Sequence, residues 1–186
     1  MREVQSSKLK AQSPKEPGEA HDEIPASGYQ IAIQVAPRFR ANVDEGSLCR
    51  VAAEVLGQEG VEEETELSLI ITDDEAVREL NRRFRGVDAP TDVLAFGAGA
   101  EEHFVIAPEN PPYLGDVVIS CQRALAQAEE LGHTVGEEMK LLVIHGILHL
   151  LGYDHQEEAA ARKMREREEH ILSGSQMVGW SDSRIT

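Results

Sequence analysis

Four stretches with strand periodicity and five with helical periodicity are interspersed along 186 residues, which predicts an α/β (α+β) protein of one sheet with helices packed on it. The strand stretches alternate apolar and polar residues or run β-branched between breakers, and the helical ones repeat apolar residues every three to four positions between caps. At 41% hydrophobic residues the chain can bury one proper core, and nothing in it calls for a second domain.

Residues 1–27 are polar and carry Pro14, Pro17 and Pro25, so they cannot bury enough surface to offset ordering and read as a disordered extension. Lys8, Lys10 and Lys15 offer the alternative of a basic arm. The domain proper is expected over 28–172. Tyr29 to Val35 is the first strand, stopped by Pro37, and Leu48, Val51, Ala52 and Val55 mark a helix face closed by Gly57. Glu66 to Ile71 is the second strand. Thr72 with Glu75 forms a capping box for a helix carrying Val77, Leu80 and Phe84. Asp92 to Phe96 and Leu114 to Ile119 are further strands, joined by a proline-containing loop over 97–113 long enough to border a substrate groove. Residues 121–131 are helical up to Gly132, and Thr134 with Glu137 makes a second capping box for the next helix. An amphipathic helix over about 156–172, with Met164 and Ile171 inward, closes the domain, and 173–186 reads as a flexible tail on which Trp180 is a possible anchor.

The chemistry is concentrated in residues 145–155, HGILHLLGYDH. His145 and His149 are four apart and share one helix face, so both imidazoles can aim at one point. Gly152 falls where a helix commonly ends in the left-handed conformation, which lets the chain turn back and deliver His155. Three neutral nitrogen ligands with a fourth position open are the arrangement of a catalytic zinc site, at which a water is acidified to a pKa of about 7. A lone histidine on an apolar face is usually a hydrogen-bonded core residue. Here the flanking Leu141, Leu142, Val143, Ile144, Ile147, Leu148, Leu150 and Leu151 are expected to bury the helix on most sides, and two unpartnered imidazoles in it would cost several kcal/mol. The spacing matches the extended zinc-protease signature, but Gly146 stands where that signature has its glutamate base. A glycine inside a helix costs about 1 kcal/mol, so its presence beside the site suggests room for a bulky substrate.

HGILHLLGYDH, with LNRRFRGVDAPTDVLAF at 80–96 and LGDVVIS at 114–120, resembles the YbeY family of bacterial rRNA maturation factors over roughly residues 30–172. The resemblance implies a zinc-dependent, single-strand-specific endoribonuclease acting in small-subunit rRNA 3′-end processing and ribosome quality control. It also implies a mixed sheet beneath the metal helix and a zincin-like site. It assigns one zinc per chain to His145, His149 and His155, and a functionally required arginine to Arg85. The serine usual in the second motif is Ala95 here, which puts a polar role at that position in doubt.

A formal net charge of -16 is unusual for a protein that meets RNA, whose affinity rests largely on cations. Attraction must then be local. The dense basic run is Arg82, Arg83 and Arg85, with Arg38 and Arg40 as possible neighbours. Arg82 and Arg83 read equally well as solvated cations at a helix end, whereas Arg85 lies just past it and is the candidate phosphate ligand. Asp154 is a second catalytic candidate, as a base or as a partner that orients a histidine, and reads equally as a turn residue. Asp92 and Asp116 read as structural carboxylates at strand ends. Cys49 and Cys121 have no neighbour at metal-ligand spacing and read as reduced core residues. No run of 18 apolar residues or signal peptide is present, so the expectation is a cytoplasmic protein whose partners are single-stranded RNA and the small ribosomal subunit, with no DNA and no membrane. The alternatives are a metal-dependent peptidase or amidase, favoured by the histidine spacing and opposed by Gly146, and a non-catalytic assembly factor with a structural metal.

Overall fold

The computed structural model describes residues 28–98, 111–155 and 157–174. The expected extension over 1–27, most of the 97–113 loop and the tail beyond Gly174, with Trp180, lie outside the described residues. Four strands, β1 (Gln30–Val35), β2 (Glu66–Thr72), β3 (Val93–Gly97) and β4 (Tyr113–Ser120), form one sheet in the order β1-β2-β4-β3. β1, β2 and β4 are parallel and β3 is an antiparallel edge strand, so the sheet is mixed. Five α-helices surround it: α1 (Glu45–Gln58), α2 (Asp74–Arg85), α3 (Cys121–Leu131), α4 (Val135–Leu150) and α5 (Glu158–Gly174). A short 3-10 helix, Pro37–Asn42, follows the strand that Pro37 ends.

Period-two alternation divides the core between the two faces of the sheet. Leu67, Leu69, Ile71, Val117 and Ile119 join α1, α4 and α5 in the main cluster, while Leu94 and Val118 face Val77 of α2 in a smaller one. Helix α4 is buried on most sides, as its composition predicts, and Met164, Ile171, Cys49 and Cys121 are all buried. The Thr134 capping box on α4 is present, with the Glu137 side chain returning to the Thr134 backbone.

Two expected helix caps differ. Thr72 does not cap α2: it continues β2 opposite Ser120, and Asp73 takes the cap by accepting a hydrogen bond from the Ala76 N–H at 2.8 Å. Gly57 does not close α1 either, because the Glu59 N–H still bonds the Val55 carbonyl at 2.9 Å and the left-handed turn falls on Gly60, at φ 68°.

Gly146 also has a different reason from the one expected. A Cβ at that position would lie 2.4 Å from Val117 Cγ1 and 3.3 Å from its Cβ, so the missing side chain lets α4 sit directly on β4. The space is required by the sheet rather than by a substrate. Val117 Cγ2 and Cβ, at 3.1 and 3.3 Å, would remain tight even if Cγ1 turned away. Gly146→Ala should therefore destabilise the fold by about 1–3 kcal/mol in chemical denaturation despite alanine's better helix propensity. In a Val117→Ala background the same change should be neutral or stabilising; additive effects in that double-mutant cycle would contradict this account.

Candidate metal centre

His145 and His149 leave α4 one turn apart with their Nε2 atoms 3.0 Å from each other. The opposite nitrogen of each ring has a partner that selects its tautomer. His149 Nδ1 lies 3.0 Å from the carbonyl of Tyr153, which can only accept, and His145 Nδ1 lies 2.7 Å from the Glu168 carboxylate. Both Nδ1 atoms therefore donate, and in the neutral rings two Nε2 lone pairs face each other. Lone pairs that close repel, and a cation between them turns the repulsion into ligation.

The third histidine arrives by the expected reversal. Gly152, at φ 89°, ends the helix, with its N–H on the His149 carbonyl and that of Tyr153 on Leu148, both at 3.0 Å. The Asp154 carboxylate accepts the His155 backbone N–H at 2.6 Å, which holds the segment that presents His155. One nitrogen from each of the three histidines then lies within 4.8 Å of the others. Nitrogens held about 2.0–2.1 Å from a tetrahedral zinc stand about 3.3 Å apart, so His145 and His149 are already near that spacing and the exposed His155 is the ligand with distance to close. Burial, then the neighbouring His145 and His155, hold the His149 pKa below its ordinary value. That keeps the imidazole in the neutral, ligating form at pH 7. Three imidazoles, two of them with Nδ1 engaged so that Nε2 faces the cluster, fit a zinc-type ion.

The histidines open into a cavity of about 320 Å³ whose wall includes Arg85, Asp92, Ala95 and Gly146. Arg85 is the last residue of α2, and Gly86 behind it takes the left-handed cap at φ 71°. The other arginines are placed elsewhere. Arg82 is bound by Glu79 one turn back, and Arg38 pairs with Asp73 at the far end of α2. Burial works to raise the Asp92 carboxyl, but hydrogen bonds from Gln127, Thr91 and the Val93 N–H outweigh it and hold it below the usual carboxylate range. This carboxylate ties β3 to α3, and Asp116 accepts the Tyr113 hydroxyl at 2.6 Å. Ala95 presents only a methyl group to the cavity. The Asp154 side chain lines an adjoining cleft with Glu59 and Lys163.

Sequence reasoning missed the groups behind the histidines. Glu168 on α5 orients His145, and the backbone carbonyl of Tyr153 orients His149. Tyr153 is itself held through its hydroxyl by Glu59 at 2.9 Å, and Glu59 is bound by Arg167, the neighbour of Glu168. Helix α5 thus supports both inner ligands. Nothing in a charged helix face distinguishes Glu168 from Glu166 or Glu169, and a carbonyl has no residue-type signal at all.

The family model for endoribonuclease YbeY matches residues 38–176. Endoribonuclease YbeY of Chloroflexus aurantiacus is 49% identical over 147 residues, covering 78% of this chain and 94% of that protein. Its counterpart in Pelotomaculum thermopropionicum is 50% identical over 140 residues, covering 70% and 87%. The solution structure of TM1509 from Thermotoga maritima aligns with 84% of this chain and all of its own, at a TM-score of 0.50 and 26% identity.

If the three histidines form one site, zinc titrated into metal-free protein should bind at about one ion per chain, and alanine at any one of them should weaken binding sharply. Glu168→Gln should lower the affinity about 10- to 100-fold while the melting temperature of the metal-free protein changes little. Full occupancy in the His145→Ala, His149→Ala double variant would refute the site, and unchanged affinity in Glu168→Gln would remove the carboxylate from it.

Proposed function

The chain belongs to the YbeY endoribonuclease family, and on that premise we propose that it is a zinc-dependent endoribonuclease acting on single-stranded RNA, with rRNA of the small ribosomal subunit as its substrate. The observation that carries the reading is the placement of one guanidinium, Arg85, on the wall of the cavity into which the three histidines open. Zinc bound there supplies Lewis acidity at a phosphodiester and the means to activate a nucleophile at neutral pH.

Every other part of the chemistry belongs to the chain's own side chains. Arg85 presents a planar fork that matches two phosphate oxygens, so it orients the phosphodiester and balances the charge that grows on it in the transition state. His145, His149 and His155 hold the metal, and the hydrogen bonds that His145 and His149 donate to the Glu168 carboxylate and the Tyr153 carbonyl keep the lone pairs of those two rings aimed. Asp154 serves as the positioning residue for His155, through the backbone N–H it accepts. The peptidase alternative lacks its base, since the position of the required glutamate is occupied by Gly146 and pressed against Val117.

The net charge of -16 sets the manner of substrate capture. With few cations facing the cavity, free RNA should bind weakly and with a shallow salt dependence, and delivery falls to the ribosomal particle on which the protein acts. Such a role places it in the cytoplasm, and no described helix is long and apolar enough to cross a membrane.

Highly purified protein should cut single-stranded RNA only when metal is bound, and His149→Ala should abolish the cleavage. Arg85→Lys should remain impaired by about tenfold or more, because a point charge cannot replace the fork, while zinc content stays at the normal level. Normal cleavage by Arg85→Gln would assign this arginine to the solvated surface and withdraw the phosphate role.

A further inference from the structure

Among the described residues two large apolar side chains are exposed, Phe84 at 47% and Val87 at 50%, and they bracket Arg85. The Phe84 ring leans on Phe96 with centroids 5.0 Å apart and planes inclined by 59°. The Arg83 guanidinium stands 5.1 Å from the Phe84 centroid. Phe96 directly follows Ala95 on β3, and successive residues of a strand face opposite sides. Ala95 accordingly lines the histidine cavity while Phe96 packs with the α2 cluster. The cavity and the aromatic pair are thus the two flanks of β3, an edge strand among the described residues, and Arg85, next to Phe84 in sequence, lines the cavity.

A half-exposed aromatic ring, with the Arg83 guanidinium over it and Arg85 next in sequence, has a specific chemistry. Its rings attract flat, apolar, polarisable groups, and the guanidinium groups attract anions. A nucleotide of an unpaired strand carries both, as base and phosphate, within one repeat. Duplex RNA does not offer its base faces, since they are stacked within the helix.

We propose that Phe84, backed by Phe96, is a stacking platform for one base of the single-stranded RNA whose phosphodiester is held by Arg85. The proposal rests on the endoribonuclease reading and adds to it a source of affinity and of strand selectivity. Stacking one base on a protein ring is worth about tenfold to a hundredfold in affinity. Stacking is also insensitive to salt, which suits a chain of net charge -16 that cannot hold RNA by cations alone.

The test uses fluorescence anisotropy of a labelled single-stranded oligoribonucleotide, and of a series in which one abasic nucleotide is moved through the sequence. For the unmodified protein, one abasic position should weaken binding about tenfold or more. Phe84→Leu keeps an apolar side chain against Phe96, so it should fold and hold zinc normally, yet bind RNA about tenfold more weakly and lose its sensitivity to that position. Its salt slope should not change, because no phosphate contact is removed. Phe84→Trp should restore binding. Wild-type affinity in Phe84→Leu, or an undiminished response to the abasic position, would overturn the platform while leaving the endoribonuclease reading intact. If the unmodified protein neither binds nor cuts single-stranded RNA, that reading fails and the platform fails with it.

Discussion

Helix α4 has to be buried on nearly every side and still open two imidazoles to a cavity, and most of the structure follows from that constraint. The helix meets it by close seating. At Gly146 its backbone rests on Val117 of β4, a contact that any side chain would break. His145 and His149 flank that contact in sequence, so the same glycine that fixes the helix on the sheet also fixes how far the two rings stand from the wall formed by β3. An error in seating would move both ligands and the Arg85 cavity together.

Polar atoms on such a helix must be satisfied, and the way this is done makes the half-buried histidines candidate ligands. Each ring gives its Nδ1 proton to an acceptor outside α4, leaving an Nε2 lone pair with no use except ligation. One acceptor comes from α5 and the other from the turn after Gly152. That turn is itself tied through Tyr153 and Glu59 to Arg167 of α5. A helix that carries none of the three clustered histidines therefore helps to orient two of their rings.

Electrostatically the protein is divided. Its bulk is acidic, and several of its arginines are bound by nearby carboxylates, as Arg78 is by Asp88 and Arg82 by Glu79. Arg85 is placed instead at the helix end, where it lines the histidine cavity. A small local field suffices for chemistry at one phosphodiester. It does not suffice for long-range capture of a polyanion, and for that reason contacts that do not depend on charge matter in this protein.

Local information determined a great deal. The number and type of elements, the Thr134 capping box, the clustering of three histidines and the reversal at Gly152 all depend on residues within a turn or two of each other, where periodicity and backbone preference act directly. Where two local signals competed, the choice was made elsewhere: Thr72 could cap α2 by its spacing from Glu75, but pairing of β2 with β4 claimed it and left the cap to Asp73. The same holds for Gly146, whose cause is a valine on another element, and for Glu168, chosen from a row of similar glutamates because only its position on α5 reaches His145 at 2.7 Å. Strand order and the antiparallel edge were equally out of reach of periodicity, although the family resemblance did imply a mixed sheet. Spacing along a chain reports which side chains can share a face; which distant group meets that face is settled only when the layers pack, because that contact has no counterpart in the local sequence.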